Sequence, residues 1–280
     1  MKTRILGSRT VSAIGFGGMP VSIEGRPDEA QAIATIRAAF DAGITLFDTA
    51  DSYHLHANEV GHNESLIAKA LAGHESEVLI ATKGGHLRPG DGSWTQNGHP
   101  GYIHDAARAS LARLGGDAIG LYQFHRPDPA VPYEDSIGAL KQVIDDGIAE
   151  MAGISNANPA QIRLAQDILG DRLVSVQNQF SPAFRSSLPE LELCAELGLA
   201  FLPWSPLGGI TGAQKLAGSF QRIADAHGVS PQQVCLAWEL ALAPVVIPIP
   251  GARRSESIVD SAAAVDLELS DDEIAELSAA

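Results

Sequence analysis

Two short apolar runs decide the fold of this chain, Thr45-Leu46-Phe47-Asp48 and Val78-Leu79-Ile80-Ala81-Thr82. Their length and their content of β-branched and large apolar residues favour buried strands. Between them, the segment from Asn63 to Ala72 carries Ala, Leu and Ile at helical spacing. Together the three segments predict one strand-helix-strand unit.

The same alternation recurs about eight times along the chain, the number that closes a (β/α)8 barrel. The predicted strands are centred on Ile14–Gly17, Thr45–Asp48, Val78–Thr82, Ile119–Phe124, Ile148–Ile154, Val174–Gln177, Ala200–Trp204 and Val245–Ile249. The predicted helices include Asp28–Ala42, Asn63–Ala72, Ile103–Leu114, Ser136–Asp146, Pro159–Leu169, Leu188–Leu197 and Pro231–Ala241.

An open doubly wound sheet is the structural alternative to a barrel. Such a sheet normally carries a GxGxxG turn after its first strand. The first strand here ends in Gly15-Phe16-Gly17-Gly18-Met19, which lacks that spacing before a helix. We therefore predict an α/β fold, a (β/α)8 TIM barrel, in a single domain over residues 1–280.

Two further segments lie outside this alternation. Thr3–Leu6 and Thr10–Ile14 are short apolar segments joined around Gly7-Ser8-Arg9, which predicts an N-terminal hairpin that plugs one end of the barrel. The longest irregular stretch, Gly84–Gly101, contains Trp94 and two histidines. We expect it to form a loop over a functional site.

Composition excludes several classes of protein. The chain has 280 residues with 34 acidic and 19 basic side chains, a formal charge of -15, which is the wrong sign for binding nucleic acid through phosphates. No apolar run is long enough to span a bilayer, and no secretory signal is visible. Cys194 and Cys235 are too few for a disulfide framework, so we expect two buried thiols and a cytoplasmic protein.

Four polar residues follow apolar strands, at the end of a barrel where active sites lie. They are Asp48, Tyr53 in the loop just beyond it, Lys83 and His125. Singly, each has a structural explanation, as a helix cap, a rim residue, a solvated strand end or a core histidine. Together they suggest a site for acid–base catalysis. Asp48 can neutralise Lys83, and the lysine is expected to lower the pKa of Tyr53, making the phenol a better proton donor.

The sequence resembles the aldo-keto reductase superfamily over nearly its whole length. The resemblance rests on Gly43–Ala50 with Tyr53, Ala81-Thr82-Lys83, Leu121–Asp128, Gly153-Ile154-Ser155-Asn156, Val176-Gln177-Asn178, Trp204-Ser205-Pro206-Leu207 and Ile249–Arg253. It implies NADPH-dependent reduction of an aldehyde or ketone on a (β/α)8 barrel. It makes Tyr53 the general acid, with Asp48 and Lys83 tuning it and His125 positioning the carbonyl.

Most of the remaining motifs are assigned to the cofactor by the same resemblance. Ser155, Asn156 and Gln177 carry amide and hydroxyl groups suited to a nicotinamide carboxamide. Trp204 stands where the family usually has a tyrosine that stacks on the nicotinamide ring. The small-residue loop after it is expected to approach the pyrophosphate. The cofactor residues in this loop are Ser205, Pro206, Leu207 and Gly209.

An arginine pair predicts a preference for NADPH over NADH. Gly251-Ala252-Arg253-Arg254 precedes a predicted helix beginning near Ser255, which places two cations at a helix N-terminus suited to a 2'-phosphate. Ser257 also belongs to the predicted cofactor site, although many relatives have a longer polar side chain there.

The substrate side is less defined by the sequence. The segment from His54 to Glu64 holds three histidines, but metal ligands need closed geometry and further support, so we expect a polar loop and no metal. The candidate contacts to a small carbonyl substrate are Met19, His54, His86 and Trp94.

Two other functions fit parts of the pattern. A barrel of this family can serve as a nucleotide-binding regulatory subunit with little turnover. Alternatively, Lys83 could form a Schiff base in an aldolase, although a lysine paired with Asp48 stays charged and is a poor nucleophile. The sequence does not predict the oligomeric state.

Overall fold

A computed structural model describes residues 1–209 and 218–279 of the chain. The described strands are β1 (Thr3–Leu6), β2 (Arg9–Ser12), β3 (Phe16–Gly17), β4 (Leu46–Asp48), β5 (Leu79–Gly84), β6 (His86–Leu87), β7 (Thr95–Gln96), β8 (Ile119–Phe124), β9 (Ala149–Ser155), β10 (Leu173–Gln177) and β11 (Ala200–Phe201). The described helices are α1 (Glu29–Asp41), α2 (His62–Ala70), α3 (Pro100–Leu114), α4 (Tyr133–Asp145), α5 (Pro159–Leu169), α6 (Leu188–Leu197), α7 (Ser219–His227), α8 (Pro231–Leu242), α9 (Ser255–Ala263) and α10 (Asp271–Ala279).

A parallel sheet in the order β11-β10-β9-β8-β5-β4-β3 forms most of the barrel wall. Residues 245–250 close it. The Ile247 N–H donates to the Phe201 carbonyl and the Gly17 N–H donates to the Pro250 carbonyl, both at 2.9 Å. This segment is the predicted eighth strand, and it makes no regular ladder because its prolines have no N–H to donate. The predicted (β/α)8 barrel is confirmed.

The N-terminal hairpin packs into the barrel as predicted. Strands β1 and β2 pair antiparallel, and Leu6 and Val11 are buried in one cluster with barrel residues such as Leu46 and Met151. These barrel residues lie at or near the starts of their strands, so the hairpin closes the end opposite the strand carboxyl ends. The end of the barrel at the strand carboxyl ends therefore stays open, and the polar candidate residues lie there.

Local signals explain where the helices begin and end. Asp28 caps α1 by accepting from the Gln31 N–H at 2.8 Å. Asn158 and Gln161 cap α5 reciprocally, and Gly170 ends that helix with φ of 58°. The apolar faces of the helices pack on the outside of the sheet.

The structure also contains elements that the sequence analysis did not predict. Helix α7 buries Phe220, Ile223 and Ala224, whose helical spacing was a usable signal. Helix α10 buries only Leu277, which left little pattern to detect. The stretch predicted to be irregular contains the hairpin β6-β7.

Two other features bear on the expected class of protein. Cys194 and Cys235 are buried and free, as predicted. Within residues 1–209 and 218–279, no helix combines the length and the apolar character that crossing a membrane requires.

Candidate active site

Strands β4 and β5 bring a buried ion pair to the mouth of the barrel. Leu46 and Ala81 face the barrel interior. Asp48 and Lys83 lie two residues further along the same strands and therefore face the same way. The Lys83 ammonium lies 2.6 Å from the Asp48 carboxylate and 3.2 Å from the Tyr53 hydroxyl. The structure thus joins three of the four predicted catalytic residues in one contact network.

Two glutamine side chains complete the surroundings of the Asp48 carboxylate. The Gln177 amide donates to Asp48 Oδ1 at 2.8 Å, and the Gln123 amide donates to the same oxygen at 3.3 Å. Gln177 had been assigned to the cofactor, whereas Gln123 was missed. The signal for Gln123 was its position two residues after the inward-facing Leu121.

Burial and charge set the protonation of this cluster. Burial disfavours a charged ammonium, but the interactions with Asp48 and Tyr53 together outweigh burial and raise the pKa of Lys83. Burial also raises the pKa of Tyr53, although the Lys83 ammonium acts in the opposite direction. The expected net lowering of the Tyr53 pKa is therefore wrong, because loss of solvation outweighs the nearby cation. The phenol keeps its proton at neutral pH, as a proton donor must.

His125 stands beside Tyr53 as a neutral imidazole. Its ring faces the phenol edge-on, with 5.8 Å between the ring centres. Burial, followed by the charge of Lys83, holds the pKa of His125 well below its usual value. Its Nδ1 is buried and has no hydrogen-bond partner among the described residues. A neutral ring next to the phenol can orient a carbonyl oxygen without competing as a strong acid.

The hairpin β6-β7 covers this cluster, as predicted for the long loop. His86 stacks on Trp94 with ring centres 4.8 Å apart and meets His125 edge-on at 4.9 Å. The Arg88 guanidinium lies over the Trp94 ring at 4.7 Å and pairs with Glu24. The hairpin is therefore held against the barrel by the edge contact of His86 with His125 and by the ion pair of Arg88 with Glu24.

A cleft of about 1060 Å³ runs across the mouth of the barrel. The catalytic candidates in its lining are Asp48, Tyr53 and His125. The lining also contains every predicted cofactor residue, namely Ser155, Asn156, Gln177, Trp204, Ser205, Pro206, Leu207, Gly209, Gly251, Arg253, Arg254 and Ser257. Of the substrate candidates, Met19, His86 and Trp94 line it.

Two predicted site residues lie outside the cleft lining. Lys83 is fully buried and reaches the cleft through its contacts with Asp48 and Tyr53. His54 is also buried, and its carbonyl accepts a hydrogen bond from Arg88 at 2.6 Å. The structure places His54 beneath the hairpin anchor, so its predicted contact with substrate gains no support.

The arginine pair lines the cleft at the start of α9. Arg253 donates to the backbone carbonyls of Pro20 at 3.2 Å and Glu24 at 2.5 Å, so its guanidinium ties the start of α9 to the first barrel loop. Arg254 is exposed and directly precedes α9. Its side chain has no hydrogen bond or ion pair to residues 1–209 or 218–279. Arg254 is therefore the cation of this pair that remains available to an anion.

The polar groups of Ser155 and Asn156 are engaged within the protein. The Ser155 hydroxyl donates to the Gln177 carbonyl at 2.7 Å. The Asn156 amide donates to the His125 carbonyl at 3.0 Å, and its oxygen accepts from Arg126 at 3.1 Å. Asn156 has φ of 57°, a left-handed conformation that asparagine tolerates better than most residues. These contacts fix the orientation of the amide at the cleft surface.

The three histidines after Tyr53 are spread over different surroundings. His54 is buried, whereas the His62 ring lies 2.9 Å from the Ser22 hydroxyl. In the part of the chain that the structure describes, no group of three or more His, Cys, Asp or Glu side chains is arranged to hold a metal ion.

A second buried carboxyl, Asp51, gives a prediction about stability. Burial and then the charge of Glu64 raise the pKa of Asp51 to about 8. The unfolded chain releases this proton near the ordinary aspartate pKa of 3.8, whereas the folded protein holds it until about pH 8, so stability falls as pH rises through that range. Asp51→Asn is expected to remove this slope and to gain roughly 2 to 3 kcal/mol over the unsubstituted protein at about pH 9.

Urea unfolding at several pH values measures this effect. Asp105→Asn is the matched control because Asp105 is an exposed aspartate on α3. An Asp51→Asn protein whose stability still declines across the same range would show that another group causes the decline.

Comparison with known proteins agrees with the fold. The sequence model of the Aldo/keto reductase family matches residues 13–280. An uncharacterized oxidoreductase of Schizosaccharomyces pombe is 33% identical over 97% of this chain and 87% of its own length. The S. pombe aldo-keto reductase yakc, named with NADP(+), is 31% identical over 98% of this chain and 90% of its own. An aldo-keto reductase from Klebsiella pneumoniae in complex with NADPH has a TM-score of 0.83 and 26% identity, covering 99% of this chain and 94% of that chain.

The barrel and its cleft are those of an NAD(P)H-dependent oxidoreductase. The chain belongs to the aldo/keto reductase family.

Proposed function

We propose that this protein reduces aldehydes or ketones to alcohols with NADPH, and that Tyr53 donates the proton. The observation that carries the proposal is the contact of the Tyr53 hydroxyl with the buried Lys83 ammonium, at 3.2 Å, in a cleft that Arg254 also lines. A proton donor and an anion site on one continuous surface suit a reaction between a carbonyl compound and a phosphorylated cofactor.

Each residue near the reacting carbonyl has a distinct task. When bound, NADPH supplies the hydride that reduces the carbonyl carbon. Tyr53 gives its proton to the carbonyl oxygen, and the Lys83 ammonium stabilises the phenolate that remains. His125, neutral and adjacent to Tyr53, orients the oxygen. Asp48 balances the charge of Lys83, so the lysine stays protonated throughout.

The cleft residues fit NADP on grounds of their own chemistry. The indole N–H of Trp204 is buried without a partner among the described residues, beside a cleft wall that a flat ring can cover. Ser205 and Gly209 both have left-handed backbone, with φ of 54° and 86°, which turns the loop sharply at the cleft surface. Arg254 at the start of α9 provides a cation for a 2'-phosphate. The name of yakc and the NADPH complex from K. pneumoniae support the same cofactor.

Replacing Arg254 tests the preference for NADPH. Arg254→Ala is expected to weaken NADPH binding about tenfold and to leave NADH binding unchanged, because only NADPH carries the 2'-phosphate. Quenching of tryptophan fluorescence measures both dissociation constants. Arg163→Ala, which removes an exposed arginine on α5, is the control. Equal weakening of both cofactors would show that Arg254 does not bind the 2'-phosphate.

The activity itself is tested with the purified protein, NADPH and a panel of aldehydes and ketones. We expect NADPH oxidation that depends on the carbonyl compound, with formation of the corresponding alcohol. Tight NADPH binding without turnover of any carbonyl compound would favour the alternative of a nucleotide-binding regulatory subunit. Trapping of a borohydride-reduced adduct on Lys83 would instead favour aldolase chemistry.

A further inference from the structure

Arg126 is a half-buried cation in the cleft to which the reaction described above gives no task. It directly follows His125 and lines the same cleft as Tyr53. Its guanidinium donates one hydrogen bond, to Asn156 Oδ1 at 3.1 Å. Its Nε is buried and has no partner among the described residues. Most of the donors of this guanidinium are therefore left for something else in the cleft.

No carboxylate of residues 1–209 or 218–279 forms an ion pair with Arg126. The acidic residue nearest in sequence, Asp128, instead accepts hydrogen bonds from the backbone N–H groups of Gly98 and Ala130, both at 2.9 Å. A half-buried charge without a counterion is costly, so a protein seldom keeps one without a ligand of opposite charge.

Three of the four carboxylates that line the cleft have other partners. Asp48 is paired with Lys83, and Glu24 with Arg88. Asp260 accepts from the Ser230 hydroxyl at 2.6 Å, which ties α9 to α8. The fourth, Glu256, is an exposed residue on α9 and forms no ion pair with Arg126. The positive charge of Arg126 is consequently uncompensated at the end where Tyr53 and His125 act.

Charge interactions confirm that Arg126 belongs to the reacting end. Arg126 contributes to lowering the pKa of both His86 and His125, and Tyr53 in turn acts on Arg126. The neighbouring imidazoles are neutral at neutral pH, so they do not repel an anion. A planar guanidinium with free donors matches the geometry of a carboxylate, which it can bind through two parallel hydrogen bonds.

We propose that Arg126 binds a carboxylate of the substrate, and that the natural substrates are aldehydes or ketones that carry a carboxylate apart from the reacting carbonyl. This inference rests on the proposed reductase function and adds the class of substrate to it. It also explains how a chain with a formal charge of -15 admits an anion, because the attraction is local and acts inside the cleft.

Arg126 has a second task, which the experiment must separate from the first. Its hydrogen bond to Asn156 makes it a positioning residue for an amide at the cleft surface. A residue that acts only through Asn156 would affect charged and neutral substrates alike. Binding of a substrate carboxylate affects only the charged substrate.

The test compares carboxybenzaldehydes, substituted ortho, meta or para, with the corresponding carbamoylbenzaldehydes, which have nearly the same shape but no charge. For the unsubstituted protein we expect kcat/KM to favour the carboxylate by about 10- to 100-fold at one or more positions. Arg126→Gln is expected to abolish this preference, because kcat/KM for the carboxylate falls by a larger factor than kcat/KM for the carboxamide, and Arg126→Lys is expected to retain part of it. Arg163→Ala is the control and should keep the full preference.

Two results would overturn the proposal. One is equal kcat/KM for the carboxylate and the carboxamide in the unsubstituted protein at every position, a result that requires no variant to fold. The other is an Arg126→Gln protein in which turnover of both compounds falls by the same factor, as a role through Asn156 alone predicts.

Calorimetric titration keeps this inference separate from the proposed function. If the protein reduces neither aldehyde, the reductase proposal fails, but the binding of benzoate and benzamide can still be compared. Tighter binding of benzoate that is lost in Arg126→Gln supports the carboxylate site independently of turnover. Equal binding of benzoate and benzamide contradicts it.

Discussion

Replacing Tyr53 by phenylalanine is expected to lower the turnover of carbonyl substrates by roughly two to four orders of magnitude and to leave NADPH affinity unchanged. The substitution removes only the hydroxyl that is proposed to give its proton to the carbonyl oxygen. Lys83 keeps its contacts with the Asp48 carboxylate at 2.6 Å and the Thr49 carbonyl at 2.8 Å, so the cluster stays assembled. Steady-state kinetics and fluorescence titration measure the two quantities.

Tyr133→Phe is a matched control for this substitution. It removes the same hydroxyl from a tyrosine on α4 that packs against Phe124 and does not line the cleft. We expect it to keep full activity. Comparable turnover in Tyr53→Phe and in the unsubstituted protein would rule out Tyr53 as the proton donor.

The second large effect is expected from breaking the buried ion pair. Lys83→Met leaves the Asp48 carboxylate buried without its cation and should lower the free energy of unfolding by about 3 to 5 kcal/mol. The amides of Gln123 and Gln177 remain bound to the carboxylate and limit the loss. Urea unfolding gives the free energy, and turnover should fall as well, because the phenolate of Tyr53 loses its neighbouring cation.

A double substitution separates the charge from the loss of packing. Asp48→Asn combined with Lys83→Met removes both charges and is expected to be more stable than Lys83→Met alone. Lys69→Met is the control, because it breaks an exposed pair with Glu29 and should cost less than about 1 kcal/mol. A Lys83→Met protein as stable as Lys69→Met would mean that the buried pair contributes little to folding.

The barrel and its plug could be predicted because their signals are local. Runs such as β5 and β8 are short and apolar, and each precedes a segment with helical spacing. The catalytic candidates could be found for the same reason, since Asp48 and Lys83 stand at strand ends. Once the strands are placed in a barrel, residues distant in sequence must converge at one end.

The contacts that complete the site join residues that are distant in sequence, and no local sequence pattern predicts such contacts. Arg88 pairs with Glu24, which is distant in sequence, and this pair anchors the hairpin over the cleft. Similarly, no spacing indicates that Arg126 lacks a counterion among the described residues, because that requires the position of every neighbouring carboxylate. The net direction of the Tyr53 pKa was missed for a related reason, since the sequence does not give the degree of burial.

Closure of the barrel by residues 245–250 has a consequence for the order of folding. The bond from the Gly17 N–H to the Pro250 carbonyl joins two residues that are very far apart in sequence. Forming this bond therefore closes a very long loop. During synthesis, strand β3 cannot form this hydrogen bond until the segment that contains Pro250 has left the ribosome. If Gly251 and Arg254 bind the cofactor as proposed, nucleotide affinity is expected only in the closed barrel, and the cofactor then stabilises the completed fold over any partly folded intermediate.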